Sequence, residues 1–228
     1  APEGGSGEPD PPAATDAPTL AGPQPPALYS GVLPCADCAG IRYELDLRPD
    51  GVYFLRTTYL GTEPTGVFDD IGRWDLDEAR ALVVLRGGRP APEVFSIEDA
   101  VTLRKRDLEG REIESGLNYD ITLQRAYVPL EPALRLRGMY RLTGAMALLE
   151  ECLTGLELRV IEPADQGALR QAYEALRSEP QQPALAIFTG RIVKQPAISG
   201  AAAQNAAIVE RFEQVEPQGA CDTPEHTL

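Results

Sequence analysis

Four cysteines are the residues of this chain whose spacing points most directly to chemistry. Cys35 and Cys38 form a tight Cys-x-x-Cys pair, whereas Cys152 and Cys221 lie far apart in the second half of the chain. An even number of thiols in one tight and one wide pair is typical of two disulfides formed in an oxidising compartment. Four cysteines allow three connectivities, and the two folded segments inferred below favour Cys35 with Cys38 and Cys152 with Cys221.

The two pairs predict different roles. A bridge that closes a loop of about 70 residues stabilises a protein by roughly 4 kcal/mol in the entropic model, so the wide pair predicts a structural link. A bridge across only two intervening residues removes less entropy and strains more easily. We therefore expect the tight pair to be the one that is reduced, exchanged or metallated.

Metal binding at the tight pair would depend on the two sulfurs. Two thiolates at this spacing could hold Cu(I), a soft ion that tolerates low coordination, whereas tetrahedral Zn would need ligands that the neighbouring sequence lacks. The single histidine, His226, lies near the carboxyl end, and the methionines are Met139 and Met146. Cys35 and Cys38 thus form either a loop-closing disulfide or a transient Cu(I) site, and no cofactor is required.

The sequence predicts no enzymatic activity. A thioredoxin-like Cys-x-x-Cys gains reactivity from a helix amino terminus, but Cys38 is followed by Ala39, Gly40 and an alternating strand, and the carboxylate of Asp37 disfavours thiolate. Phosphate-loop, zincin and nucleophile-elbow motifs are absent from the sequence. The adjacent carboxylates Asp69-Asp70 and Glu150-Glu151 are expected to be solvated surface charge.

Composition limits the classes of partner. With 228 residues, 43% of them hydrophobic, the chain can bury the core of one large or two ordinary domains. Its net charge of −14 opposes binding to nucleic acid, and the one concentrated basic run is Arg104-Lys105-Arg106. No apolar run approaches the roughly 20 residues that span a bilayer. The amino end lacks the pattern of a secretory signal, so we expect a mature or trimmed form.

Residues 1–27 predict a disordered tether. This segment is rich in proline and glycine, carries acidic residues and contains no lysine or arginine. It cannot bury enough apolar area to offset its ordering entropy, so we expect an extended, negatively charged linker or a plain disordered terminus.

Residues 28–127 predict a β-barrel. In Arg42–Arg48 the side chains of Tyr43, Leu45 and Leu47 alternate with charged ones, which is the pattern of a half-buried antiparallel strand. Eight short strands separated by turn-forming residues favour a closed up-and-down barrel. The predicted strands are Ala27–Leu33, Arg42–Arg48, Val52–Leu60, Phe68–Asp75, Ala81–Leu85, Glu93–Glu98, Ala100–Arg106 and Leu117–Gln124.

Two prolines in Val128–Pro132 mark a domain boundary, with residues 128–135 as the linker and residues 136–228 as the second domain. Three strands, a helix and two strands is the element order of an oligonucleotide- or oligosaccharide-binding (OB) barrel, although another small α+β topology fits it too. The predicted elements are strands Leu136–Leu142, Ala145–Cys152 and Leu156–Ile161, helix Ala164–Leu176, and strands Ala184–Lys194 and Ala206–Val215.

Three stretches of the sequence resemble the NlpE family of copper-homeostasis and envelope-stress lipoproteins. The most specific is Leu28–Ile41, which reads LYSGVLPCADCAGI. The others are Ile113–Tyr119 and the segment from Leu136–Tyr140 to Cys152–Gly155. The resemblance covers residue 28 to the carboxyl end and implies a mainly β chain, with an eight-stranded lipocalin-like barrel followed by a five-stranded OB-like barrel with one helix.

The same resemblance implies a function. Such proteins are attached by an acylated cysteine, absent from this chain, to the periplasmic side of the outer membrane of a Gram-negative bacterium. They activate the Cpx two-component pathway through its sensor histidine kinase when lipoprotein traffic, surface contact or folding is perturbed. Cys35 and Cys38 would be the copper or redox site, and the Cys152–Cys221 bridge would report on periplasmic disulfide formation. The sequence does not decide between a monomer and a homodimer.

Two other functions remain as alternatives. The aromatic residues of the first eight strands would also suit a lipocalin-like carrier of a small apolar ligand. The OB-like domain would also suit a module that binds cell-wall oligosaccharides or peptides.

Overall fold

The first barrel follows from strands in which inward apolar side chains alternate with outward polar ones. The computed structural model describes residues 22–163, 167–177, 179, 181–195 and 204–221. Its first eight strands are Ala27–Leu33 (β1), Gly40–Leu47 (β2), Val52–Leu60 (β3), Gly66–Asp77 (β4), Leu82–Gly87 (β5), Glu93–Ile97 (β6), Thr102–Lys105 (β7) and Asp120–Leu123 (β8).

Each of these strands pairs antiparallel with the next, and β8 returns to pair with β1. The closing register sets Tyr29 opposite Leu123 and Ser30 opposite Thr122. Closure leaves no unpaired sheet edge. The prediction of an eight-stranded up-and-down barrel is therefore confirmed.

Large side chains fill the interior of this barrel. The rings of Tyr43 and Phe95 meet edge to face with their centroids 6.5 Å apart, and both residues are buried. Close packing of this kind resembles an ordinary protein core. The buried cluster includes Tyr29, Leu33, Tyr43, Leu45, Leu47, Tyr53, Leu55, Val83, Leu85, Phe95, Ile97, Leu103 and Ile121.

Two strands are shorter than predicted because polar side chains capture backbone groups at their ends. The carboxylate of Asp99 accepts a hydrogen bond from the amide of Val101 at 2.8 Å, which holds the segment before β7 in a turn. Asn118 accepts from the amide of Asp120 at 3.1 Å and delays the start of β8 in the same way. At the other end of the chain, Pro23 is buried, so packing begins within the predicted tether.

The second barrel has the OB strand order. Its strands are Ala133–Thr143 (β9), Met146–Glu151 (β10), Glu157–Ile161 (β11), Ala184–Gln195 (β12) and Gln204–Glu216 (β13), with the helix Ala168–Leu176 (α1) between β11 and β12. The barrel closes in the order β10-β11-β13-β12-β9, with β11 and β13 parallel. The predicted OB-like barrel with one helix is confirmed. Strand β9 begins at Ala133, inside the predicted linker, because β12 is long enough to pair Arg191 with it.

The helix α1 closes one end of the second barrel. Leu169 and Tyr173 lie one turn apart on its apolar face, and both are fully buried. The helix begins at Ala168 rather than at the predicted Ala164; residues 164–166 lie outside the described residues. Within the described part of the chain, no helix has the length and apolarity needed to span a bilayer.

The two barrels share one apolar cluster. Val52, Phe54 and Ile71 project outward from β3 and β4 and are buried together with core residues of the second barrel, among them Leu136 and Leu149. Outward residues of a barrel normally face solvent, so this set marks the contact surface between the barrels.

Hydrogen bonds surround this apolar contact. Asp69 accepts from the amide of Ala133 at 2.7 Å, and Arg56 donates to the carbonyl of Glu131 at 3.0 Å. Arg48 donates to the side chain of Asn205 at 3.0 Å. An apolar centre with a polar rim is the usual anatomy of a specific interface.

Asp46 fixes the segment between the barrels. It is fully buried and accepts hydrogen bonds from the hydroxyl of Tyr127 and the amide of Leu130, both at 3.0 Å. Burial raises the pKa of Asp46, and the bonds from Leu130 and Tyr127 offset part of that rise.

We predict that Phe54→Ala destabilises the protein by about 3–5 kcal/mol, because it opens a cavity in the shared cluster. We also expect it to split thermal unfolding into two transitions, since each barrel keeps its own core. Differential scanning calorimetry measures both effects. The control is Phe68→Ala on the same sheet, which removes a ring that is 58% exposed. Equal losses from the two variants would contradict the shared cluster.

Asp46 also predicts a pH dependence. Its folded-state pKa lies above the ordinary value of 3.8, so the folded protein binds the proton more readily than the unfolded chain. The free energy of unfolding should therefore fall as pH rises from near 3.8 through the raised pKa. The variant Asp46→Asn should lack this part of the fall in the free energy of unfolding. Urea unfolding across that pH range measures the free energy of unfolding of the two proteins. If the native protein became more stable relative to the variant as the pH rises, the raised pKa of Asp46 would be contradicted.

Candidate functional site

The tight cysteine pair lies on the loop between β1 and β2. The structure joins Cys35 and Cys38 in a disulfide with their Cα atoms 5.3 Å apart. Both cysteines are half-buried, whereas Ala36 and Asp37 at the tip of the loop are exposed. A small reductant or a soft metal ion can therefore approach the sulfurs from solvent.

Backbone contacts hold this loop against the barrel. The amide of Ala39 donates to the carbonyl of Leu60 at 2.9 Å. Gly40 has a φ of +146°, and a Cβ there would lie 2.7 Å from Cγ1 of Val32. Only glycine fits this position without strain, so the return from Cys38 into β2 depends on it.

Oxygen atoms face both sulfurs. The carboxylate Oδ1 of Asp37 lies 3.7 Å from Sγ of Cys35, and the carbonyl oxygen of Gly40 lies 3.3 Å from Sγ of Cys38. Negative and partially negative neighbours disfavour the thiolate form after reduction. No helix begins here to counter them, since β2 follows directly.

The donor set at the loop suits a soft ion of low coordination. Within the described residues no group of three or more His, Cys, Asp or Glu side chains could hold a metal ion, so the two sulfurs stand without a third such ligand. Met139 and Met146 lie on β9 and β10 of the second barrel, and His226 lies outside the described residues. After reduction of the bridge, two thiolates without a third such ligand would suit Cu(I) better than tetrahedral Zn.

A charged cluster lies near the same end of the barrel. Successive hairpins bring the loops 34–39, 61–65, 88–92 and 106–119 to one end, which we term the mouth. Just inside it, Glu93 pairs with Arg89 at 2.8 Å and with Lys105 at 3.0 Å. Tyr53 donates to Asp70 at 2.8 Å. Burial and the nearby Glu93 raise the pKa of Tyr43 to about 12.

The sequence analysis missed part of this cluster. Asp69 and Asp70 were expected to be solvated, yet both side chains are at most 10% exposed. The alternation of side chains along β4 could have indicated that Asp70 is buried, because it places Asp70 on the same face of the strand as Gly72 and Trp74. Asp69 points the other way, into the contact with the second barrel, where it accepts from Ala133.

The wide pair links two segments of the second barrel. The structure joins Cys152, in the turn after β10, to Cys221, after β13, with their Cα atoms 5.3 Å apart. Two further bonds reinforce this link: the amide of Cys152 donates to the carbonyl of Arg137, and the guanidinium of Arg137 donates to the carbonyl of Ala220, both at 2.9 Å.

Glu151 organises the turn next to this bridge. It was expected to be solvated but is only 3% exposed. Its carboxylate accepts from the amides of Leu153 and Thr154 and from the hydroxyl of Thr154, at 2.6–3.1 Å. Arg73 of the first barrel donates to the carbonyl of Thr154. The turn 152–156 therefore joins the wide disulfide to the first barrel.

Comparison with known families decides the classification. Residues 29–116 match the model of the NlpE N-terminal domain, and residues 130–222 match that of the NlpE C-terminal OB domain. The chain belongs to the NlpE family. Lipoprotein NlpE of Escherichia coli K12 is 31% identical over 166 residues, which cover 72% of this chain and 67% of that protein.

Two solved structures also match. The crystal structure of the Cpx pathway activator NlpE from Escherichia coli is 29% identical, covers 87% of this chain and 99% of its own, and superposes with a TM-score of 0.37. A candidate lipoprotein from Shewanella oneidensis is 31% identical, covers 44% of this chain and 90% of its own, and superposes with a TM-score of 0.38.

We predict that Asp37→Asn speeds alkylation of the reduced tight pair about fivefold at neutral pH, because it removes the carboxylate that disfavours thiolate. Mass spectrometry after timed iodoacetamide treatment measures the rate. Glu78→Gln is the control, since Glu78 is an exposed carboxylate in the turn at the opposite end of the barrel. Equal rates in the two variants would show that Asp37 does not govern these thiols.

Proposed function

We propose that this NlpE family member is a non-enzymatic envelope sensor, lipid-anchored at the periplasmic face of the outer membrane, that activates the Cpx two-component pathway through its sensor kinase. The single observation that carries this proposal is the contact between the turn of the wide disulfide and the first barrel, made by Arg73 and Thr154. The description of the Escherichia coli relative as a Cpx pathway activator supports the choice of pathway.

The physical basis is that loss of the wide bridge would loosen the turn 152–156. In the bridged state, Cys152 fixes one end of this turn and Glu151 orders its backbone. Without the bridge, the carboxyl-terminal residues after β13 lose their covalent link to the turn, and the unfolded state gains entropy. The contact of Arg73 with Thr154 would weaken as the turn loosens, so the first barrel would receive the signal.

The tight pair adds a second input in this proposal. Reduced Cys35 and Cys38 would supply two soft sulfur ligands for Cu(I) at the mouth of the first barrel. Their half-buried position and the absence of a helix dipole suit reversible binding better than catalysis. This role would connect the protein to copper homeostasis.

The carrier function finds less support. The inward side chains of the first barrel, including Tyr29, Tyr53 and Phe95, form one packed cluster whose members are no more than 8% exposed. A barrel that carries a small apolar ligand needs an interior left open by its own side chains.

We predict that Cys152→Ser raises Cpx reporter output severalfold in cells that express the protein as a lipoprotein, because it mimics failed disulfide formation. Arg73→Ala should raise output in the same direction, since it removes the contact with Thr154. The control is Arg86→Ala, which removes an exposed arginine of β5 that pairs with Asp75 instead. Unchanged output from Cys152→Ser at normal protein abundance would refute the sensor proposal.

The copper input has its own test. We predict that protein reduced only at the tight pair binds Cu(I) and that the double variant Cys35→Ala, Cys38→Ala loses this binding, because the other two cysteines, Cys152 and Cys221, remain joined in their own disulfide. Competition with a chromogenic Cu(I) chelator measures binding, and reporter output with added copper measures signalling. Equal binding and equal output for the two proteins would leave the tight bridge with a structural role alone.

A further inference from the structure

The second barrel contains a cavity that the sensor proposal does not use. Its volume is about 250 Å³, and it lies where β9, β10 and β11 meet the start of α1. Ala147 and Val160 line its apolar wall, whereas Tyr140, Arg159 and Arg170 bring polar atoms to it. A mostly apolar hollow with a few polar groups is the usual form of a small-molecule site.

Tyr140 carries the strongest sign of a missing partner. It is fully buried, and its ring meets that of Tyr173 edge to face at 5.0 Å. The hydroxyl of Tyr173 donates to the carbonyl of Gln182 at 2.7 Å, but the buried hydroxyl of Tyr140 has no hydrogen-bond partner in the described chain. Burial and the nearby Glu162 raise the pKa of Tyr140, so its hydroxyl stays protonated and can donate.

The charges of the lining favour an anion. Both oxygens of Glu162 are occupied by the amides of Leu169 and Arg170, at 3.0 and 3.1 Å. Arg170 uses its Nε to pair with Glu174 at 3.1 Å, which leaves its terminal nitrogens available. Arg159 is half-buried, and its guanidinium makes no hydrogen bond or ion pair with any other described residue. With Arg170 paired to Glu174 and Glu162 bound by two backbone amides, the guanidinium of Arg159 is the charge of the lining that has no partner.

We propose that this cavity binds a carboxylate carried on a small apolar frame, with the hydroxyl of Tyr140 and the guanidinium of Arg159 as its hydrogen-bond donors. The planar guanidinium matches a carboxylate in two parallel bonds. A single unpaired guanidinium suits a monoanion better than a phosphate dianion, and the apolar wall accommodates the carbon frame. The site is distinct from both disulfides.

The surroundings leave room for the rest of a longer ligand. A second cavity of about 260 Å³ adjoins the first, and the two share Met146 and Arg159 in their linings. Its other lining residues include Gln204 and Asn205 of β13. The second cavity lies against β10 and β11, the second and third strands of the OB order, whose face OB barrels generally use for extended ligands. The carboxylate would therefore be one end or one substituent of a longer molecule, either an acidic sugar or the carboxyl terminus of a peptide.

Matched ligands test this proposal on the whole chain. N-acetylmuramic acid and N-acetylglucosamine share the sugar ring, but only the first carries a carboxylate. N-acetyl-alanyl-alanine presents a peptide carboxyl terminus, and inorganic phosphate presents a dianion without a frame. Isothermal titration calorimetry measures affinity, and amide NMR shifts locate the site. We expect N-acetylmuramic acid, the dipeptide or both to bind with shifts around Tyr140, and N-acetylglucosamine and phosphate to bind at least about tenfold more weakly.

Two variants assign the donors, each with its own control. Tyr140→Phe should weaken carboxylate binding about tenfold without lowering the melting temperature, because it removes a hydroxyl that has no partner in the free protein. Tyr173→Phe is the control for that ring, and it should lower the melting temperature because its hydroxyl is bonded. Arg159→Gln should weaken binding to a similar extent, whereas Arg141→Gln, which removes an arginine already paired with Glu157, should not.

The possible results of these experiments either support the carboxylate site or overturn it. Preference for N-acetylmuramic acid supports an acidic sugar, and preference for the dipeptide supports a peptide carboxyl terminus; both support the carboxylate site. Equal affinity for the two sugars, preference for phosphate, absence of saturable binding, or full binding by Arg159→Gln would overturn it. None of these results bears on the reporter outputs of Cys152→Ser and Arg73→Ala, so the sensor proposal stands or fails separately.

Discussion

Burial of the outward face of β3 and β4 is the constraint on which the two-barrel arrangement depends. A closed barrel forms all of its backbone hydrogen bonds internally and needs no partner sheet. Contacts made by side chains therefore have to hold the second barrel against it. Val52, Phe54 and Ile71 supply that attachment as part of one cluster with the second core. Asp69 and Asp46 then fix the intervening segment by accepting backbone amides from Ala133 and Leu130. Each carboxylate is nearly or fully buried, so the angle between the barrels is set by groups that tolerate little displacement.

Because of this arrangement, the wide disulfide affects contacts with the first barrel as well as its own barrel. A surface bridge far from the interface would stabilise the OB domain and nothing else. Here the turn that contains Cys152 is ordered by Glu151 and is held by Arg73 from the first barrel. A change in the bridge therefore acts on a polar contact at the edge of the interface, and polar contacts at a rim adjust at lower cost than a packed centre. The tight pair differs, because its loop is attached to the barrel by backbone contacts at Ala39 and Gly40.

The sequence was sufficient for the architecture because alternation along a strand is a local property. The run around Tyr43 predicted a strand whose inward and outward faces the structure reproduces, and the run from Val52 predicted the strand that follows it. It was insufficient where a side chain's environment depends on a distant segment. Asp69 and Glu151 appear as ordinary surface carboxylates until the second barrel and the turn cover them. The ends of β7 and β8 were misplaced for a third reason, since Asp99 and Asn118 compete locally with the sheet for backbone amides.

The two barrels also divide the chemistry between them. In the first, aromatic and leucine side chains fill the interior, so any reactive group must lie at the mouth, where the Cys35–Cys38 loop and the Glu93 cluster lie. In the second, α1 covers one end of a smaller barrel and leaves a hollow beside Tyr140. A packed core has no reason to retain an unpaired hydroxyl there, because phenylalanine would fill the same space without a desolvated donor. The presence of that hydroxyl in the core is explained if a ligand in the adjoining cavity accepts its hydrogen bond.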